Sequence, residues 1–391
     1  MSEDTGTGAY SLSDGENLSG GTYTSINADE NAIRAEGAIT ATLDGVEVLK
    51  TGGDASSNDA SSFYGLNAAI LALDGANLKI SGGTITASTE GSNGVFAYDG
   101  ATIDITDTVI NVTGGNAGGI EVAGEGNLYA TNLTVNSSNK AAIRSDRGGG
   151  VLTVDGGTYT TSGSSGAPAI YSTADITASN ATLVAETSEA IVVEGLNSVT
   201  LNDCDVSGAM EGTYSKTGSE NVHNVMLYQS MSGDAQVGTS SFTMTGGTLV
   251  SHNGDMFYVT NTSSVISLSK VNLTQAQGTY LLRVSGNSSS RGWGTVGANG
   301  GTAEFNLTDQ EISGDIYVDS ISTLTMKIAE NSMFTGSINQ EGDKASALSI
   351  TIDDTSTWKL TADSYITEFN GDLNQVVLDG FTLYINGVAA K

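Results

Sequence analysis

One eight-residue pattern recurs along the chain: apolar-x-apolar-x-(Gly/Asn/Asp)-x-x-apolar. It is plain in Leu78, Ile80, Gly82, Ile85 and again in Ile103, Ile105, Asp107, Ile110. Ten copies begin at residues 41, 78, 103, 128, 152, 176, 199, 242, 266 and 305. The steps between them are 37, 25, 25, 24, 24, 23, 43, 24 and 39 residues, so six of nine fall between 23 and 25. A fixed period of this length constrains the fold more than any composition. Each repeat is one structural unit that buries its apolar face only by stacking on its neighbours.

Alternation with period two reads as a strand with one buried face. The fifth position is Gly45, Gly82, Asp107, Asn132, Gly156, Asn180, Asp203, Gly246 or Asp309 in nine of the copies. Those residue types tolerate a left-handed backbone, so each unit reads strand, one-residue bend, strand. Lys270 is the exception and is expected to be strained or to adopt another turn. A third strand precedes each unit, starting at Ile33, Ile70, Val95, Ile120, Ile143, Ile170, Ile191, Val225, Phe257 and Leu281. No segment carries sustained helical periodicity. The expectation is an all-β, single-stranded parallel β-helix (β-solenoid) with three strands per coil and about 12–13 coils of ~24 residues.

The expected domain organisation is one β-helix over residues 1–391. Residues 1–32 form an N-terminal capping coil, since Gly20-Gly21-Thr22-Tyr23-Thr24 echoes Gly156–Thr160. Residues 33–312 hold the regular coils, with insertions at 50–67, 207–241 and 285–302 where the steps are long. Residues 313–391 form the C-terminal coils and cap: Met326, Ile328, Ser332, Phe334 is echoed by Ile350, Ile352, Ser356, Trp358. The apolar run Val377, Leu378, Phe381, Leu383, Ile385 is expected to close the end.

Composition excludes several functions. The 391 residues carry 14 Lys plus Arg against 44 Asp plus Glu, a formal charge of 14 − 44 = −30. Such a chain repels nucleic-acid phosphates. With Cys204 alone it cannot be a disulfide scaffold. No apolar run approaches the roughly 18 residues of a membrane span. The single Pro rules out a collagen or polyproline segment.

These repeats resemble the right-handed parallel β-helix proteins of the pectate-lyase-like superfamily, and more closely the adhesin-like secreted β-helix proteins of bacteria. The resemblance covers nearly the whole chain and implies the right hand. It also implies a secreted or bacterial cell-surface location. No signal peptide, wall-sorting signal or transmembrane segment is evident, and Met1-Ser2-Glu3-Asp4 reads as a trimmed start. The enzyme signatures of the superfamily are not found. The only Asp-Asp is Asp353-Asp354, and the two histidines lie in Val222-His223-Asn224 and Ser251-His252-Asn253 rather than in Gly-His-Gly. The charge would also repel a polyuronate.

The outward positions of the third strand form a candidate ligand face. They run Arg34, Leu71, Phe96, Glu121, Arg144, Tyr171, Val192, Met226, Tyr258, Leu282 and Tyr317, with Leu73, Tyr98, Asp146, Glu194 and Tyr228 two residues on. Aromatic and aliphatic side chains there suit sugar stacking or a partner surface. They also suit simple stacking on adjacent coils. The later insertions would wall a cleft over Tyr228, Tyr258 and Arg283 that could receive Tyr214, His223, Arg291 and Trp293. The candidate ligand-binding set is therefore Phe96, Tyr98, Tyr171, Tyr228, Tyr258, Arg283, Trp293 and Arg291. Trp293, in a Gly/Ser-rich loop, either contacts ligand or folds back over local apolar surface.

No cofactor is expected. A calcium ion would require Glu121, Asp146 and Glu194 to converge. Thr-x-Thr steps such as Thr158-Tyr159-Thr160 do not recur on every coil, which argues against a flat threonine array. The leading expectation is a non-catalytic adhesin or glycan-binding module meeting a glycan or a host or neighbour-cell surface protein. The alternatives are a glycoside hydrolase or lyase acting on a neutral glycan, with a pair such as Glu194 and Asp203, or an acid in the 207–241 loops, as its carboxylates, and a passive surface stalk.

Overall fold

The computed structural model describes residues 3–164, 166–218 and 222–390. Met1 and Ser2 of the reading above, and residues 219–221 of the 207–241 insertion, lie outside the described residues. The chain divides into two compact units, Met1–Ile191 and Val192–Lys391. Each is a stack of parallel β coils.

In the first unit the repeat pairs with itself rung by rung. Leu78 faces Ile103 and Ile103 faces Leu128, two steps of 25 residues; Leu152 and Ile176 follow at 24. The strands after the bend align in the same way, Val48 with Ile85, Ile110, Val135, Tyr159 and Leu183 in turn. The third strands make a separate ladder, Ile33–Ile70–Val95–Ile120–Ile143–Ile170. Three columns of inward side chains meet at the axis, and nearly every member is fully buried. Each buried Leu, Ile or Val contributes ~1.5–3 kcal/mol, and none can be buried without the coil above and below.

The second unit follows the same plan. Val199, Phe242, Ile266, Phe305, Met326, Ile350 and Phe369 stack in one column. Phe257 lies near Phe242 and Phe305, with centroids 5.8 and 6.0 Å away. The echo between Met326–Phe334 and Ile350–Trp358 is a true register, because Phe334 pairs with Trp358. The indole N–H of Trp358 donates to the Gly336 carbonyl.

The bends carry the clearest agreement with the sequence. All ten fifth-position residues have positive φ, from +48° at Asp309 to +70° at Gly156. Lys270 is among them at +56°, so it keeps the common turn and bears the strain. The doubled glycines have a second cause. A Cβ on Gly83, Gly157 or Gly247 would lie 2.1–2.3 Å from a carbonyl oxygen of the preceding coil. Gly20, at +65°, shows the same bend in residues 17–25, whose strands pair in register with the next coil.

Three local readings need correction. The 50–67 insertion contains a short helix, α1 (Asn58–Tyr64). Its 7 residues make two turns, too few to show as a sustained period. Ser57 caps its start and left-handed Gly65 its end. Second, the third strand that starts near Leu281 has its inward register at Leu282, which pairs with Phe257. A register shift between Tyr280 and Leu282 moves Arg283, not Leu282, to the outward position beside Tyr258. Third, in the last coil Val376 rather than Val377 faces inward against Trp358, and Phe381 is 37% exposed. Leu383 is buried, and Leu383–Ile385 forms an antiparallel hairpin with Val388–Ala389 at the chain's end.

Candidate functional site

The third-strand face is covered in both units, each by its own insertion. In the first, α1 lies across the ladder. Leu71, Leu73, Phe96 and Tyr98 form an apolar cluster with Ala68 and Ala123, and Tyr64 packs on it. The Tyr64 and Tyr98 rings meet edge-on at 5.6 Å. Polar contacts hold the helix down: Arg144 donates to the Ser62 hydroxyl (2.8 Å), and Asn93 to the Ser61 carbonyl (3.0 Å). The Arg147 guanidinium stands 4.0 Å from the centre of the Phe63 ring. Phe96 is therefore fully buried and Tyr98 nearly so, whereas Tyr171, beside Arg144 in the ladder, stays half-exposed.

Beneath α1 sits a buried charge cluster. Arg144 lies 3.5 Å from Glu121 and 3.2 Å from Asp146. Neither Glu121 oxygen accepts a hydrogen bond. Burial pushes the Glu121 carboxyl well above the usual carboxylate range, and the shared Arg144 only partly opposes it. Burial likewise pulls the Lys140 ammonium down, with Arg144 adding to the effect.

In the second unit the loops fold onto the face and fill the expected cleft. Tyr228, Tyr258, Arg283, Trp293 and His223 are all buried, and Arg291 remains exposed. Two groups result. In one, Trp293 packs edge-on against Tyr228 at 5.1 Å, with Arg291 over its outer ring at 5.3 Å. The Tyr228 hydroxyl donates to Glu194 (3.1 Å), which also accepts from Ser230. Trp293 thus caps local apolar surface.

The other group centres on Asp255. It accepts from the Arg283 Nε (2.7 Å), the Tyr280 amide (2.8 Å) and the Tyr214 hydroxyl. Burial works against the Arg283 charge, but Asp255 and Tyr214 together more than offset it. Burial first, and Asp255 second, push the Tyr214 hydroxyl well above its ordinary value. Arg283 also donates to the Lys216 carbonyl and lies over two tyrosine rings, Tyr280 at 5.1 Å and Tyr317 at 5.4 Å. Those rings stack at 5.5 Å with planes 20° apart. The exposed Lys216 ammonium stands 5.0 Å from the centre of the Tyr280 ring. Tyr317 is half-exposed, and burial followed by the Asp343 charge raises its hydroxyl.

In the second unit this stack keeps aromatic surface, that of Tyr317, within reach of solvent, as Tyr171 does in the first. Of the sequence candidates it includes Arg283, and Tyr258 lies next to Arg283 in the ladder. Tyr280 and Lys216 were not among them. The register shift at Tyr280 hides the first, and an insertion without a period hides the second. Of the two carboxylates, Glu194 ends a ladder strand and is bonded, while Asp203 is an exposed bend residue between Ser198–Asn202 and Asp205–Gly208. Among the described residues, no three His, Cys, Asp or Glu side chains gather as a metal site would require. No helix among them is long and apolar enough to cross a membrane. Comparison with known proteins finds no family model, no curated protein and no solved structure that matches the chain.

Proposed function

We propose that this protein is a non-catalytic, adhesin-like glycan-binding module of the right-handed parallel β-helix kind, displayed on a bacterial cell surface or secreted. The observation that carries this reading is the Tyr280–Tyr317 stack with Arg283 and Lys216 over it. Basic residues number 14 against 44 acidic ones, yet two converge on one tyrosine pair. Asp255 and the core-facing ladder hold Arg283 rigid, so the platform is ordered before any ligand arrives. A sugar ring can stack on Tyr317 while Lys216 and the nearby Asp343 bond its hydroxyls. The −30 charge favours a neutral glycan over a polyanion. Two carboxylates of this face, Asp255 and Glu194, are buried and already bonded, so neither is free for acid–base work.

Affinity gel electrophoresis against neutral and acidic polysaccharides tests the reading. Wild type is expected to be retarded by a neutral glycan, and Tyr317→Ala to bind about tenfold more weakly, or ~1.4 kcal/mol. Retardation unchanged in Tyr317→Ala would remove the stack from the site. No retardation by any glycan would leave the protein-binding or stalk reading.

A further inference from the structure

The strands before the bends of the first unit build another kind of face, an outer wall of exposed side chains. There the outward side chains stack in two columns. One runs Thr42, Lys79, Asp104, Tyr129, and the other Asp44, Ser81, Thr106, Thr131. Between them is a shallow groove of about 490 Å³. Tyr129 stands at one end of it, 42% exposed. Every other position of its column, from Asn17 through Thr42, Lys79 and Asp104 to Thr153 and Thr177, is polar. An aromatic residue at this outward position packs on no core and is covered by no insertion.

The geometry points to this groove as a binding site for an extended neutral glycan lying along the stack. The inference rests on the glycan-binding reading above and adds a second site and a ligand class. Three consecutive rungs present an ammonium (Lys79), a carboxylate (Asp104) and an aromatic ring (Tyr129), and among the described residues none of these three side chains is engaged in a hydrogen bond or ion pair. Together they offer a donor, an acceptor and a stacking face to successive sugars of a chain. Successive rungs lie about 4.8 Å apart. That is close to the length of one sugar residue in an extended chain, so a ribbon-like glycan meets one rung per residue. A β-1,4-linked chain is straight enough to follow the flat wall, and an α-1,4-linked chain curls away from it. Lys79 sits among Asp44 and Asp104, so the groove has no net attraction for a polyanion. A protein partner is disfavoured because the exposed apolar side chains near this wall, Tyr129 and Val151, are too few for an interface core.

Titration calorimetry with cellohexaose and maltohexaose, on wild type, Tyr129→Ala, Lys79→Ala and Tyr317→Ala, tests the proposal. Wild type should bind cellohexaose at least tenfold more tightly than maltohexaose. Tyr129→Ala and Lys79→Ala should each lose tenfold or more, with thermal melts like wild type because both side chains are exposed. Tyr317→Ala should retain this binding. Equal affinity of Tyr129→Ala and wild type overturns the groove. If Tyr317→Ala alone loses binding, the groove falls and the tyrosine-stack reading stands. If wild type does not bind cellohexaose, the groove falls whatever the gels show for other glycans.

Discussion

At the scale of single residues, the bend column shows how far a pattern of residue types can be trusted. The choice of Gly, Asn or Asp at the fifth position anticipated a left-handed backbone, and every copy has one. What the type alone did not reveal is that Lys270 obeys the same rule against its own preference. Its ammonium reaches Asp309 at 3.5 Å, but both groups are largely exposed, so the pair contributes little. Lys270→Gly should therefore stabilise the protein by about 0.5–1 kcal/mol, the left-handed penalty less the entropy that glycine loses on folding. Chemical denaturation would show it, and a destabilised variant would mean that the Asp309 contact outweighs the strain. The doubled glycines separate strain from clash. A Cβ on Gly156 meets nothing closer than 3.9 Å, whereas on Gly157 it falls 2.3 Å from the Leu133 carbonyl oxygen. Gly156→Ala should cost about 1 kcal/mol and Gly157→Ala clearly more. Equal costs would show that the coils part easily at the bend.

Among the elements, strands were legible and their coverings were not. Inward positions repeat with period two, so even a one-residue slip in a strand changes which side chain is buried. That is why the ladder was readable from Ile33 to Ile170 and misplaced by one residue at Leu281, where a register shift intervenes. The insertions carry no period. Nothing in 50–67 announces that α1 will lie on Phe96 and Tyr98, although Ser57 and Gly65 are ordinary caps for a helix. Phe96 and Tyr98 hold outward positions of the ladder, but the cover that buries them carries no period from which it could be read. The covering creates a testable burden. Glu121 is buried under it with a raised carboxyl, so folding is favoured while that group is protonated. Its contribution is present below the unfolded value of about 4.5 and is lost as pH rises toward the folded one. Glu121→Gln mimics the protonated form. It should raise stability at pH 8 by on the order of 1 kcal/mol, and the gain should vanish near pH 4. A variant less stable than wild type at pH 8 would mean that Glu121 is ionised and that its pairing with Arg144 dominates.

For the whole molecule, the question is how a chain of charge −30 remains folded when stacking sets outward side chains about 4.8 Å apart. Part of the answer is in the columns. Acidic side chains are repeatedly set against neutral donors from an adjacent coil: Asp107 accepts from Asn132, Asp155 from Asn180, Asp44 from Ser81, Asp205 from Thr248 and Glu47 from Thr22. The Asn, Ser and Thr richness that reads as mere composition is, in the fold, what separates one carboxylate from another. Asp353 shows the effect of donors within and between coils. Partial burial raises its carboxyl, but the Glu330 amide with Ser356 and Thr355 outweighs burial and holds it at about 2. These contacts relieve repulsion between neighbouring rungs where they occur, and the long-range part remains, because 14 basic residues cannot balance 44 acidic ones. Salt screens that part within a Debye length of about 10 Å at 0.1 M. Raising NaCl from 10 mM to 0.5 M should accordingly raise Tm by a few degrees at pH 7. Buried pairs such as Arg283–Asp255, at 2.7 Å, are screened much less and should not reverse the trend. A Tm that fell with salt would show that attractive pairs, rather than net repulsion, dominate the electrostatics of the fold.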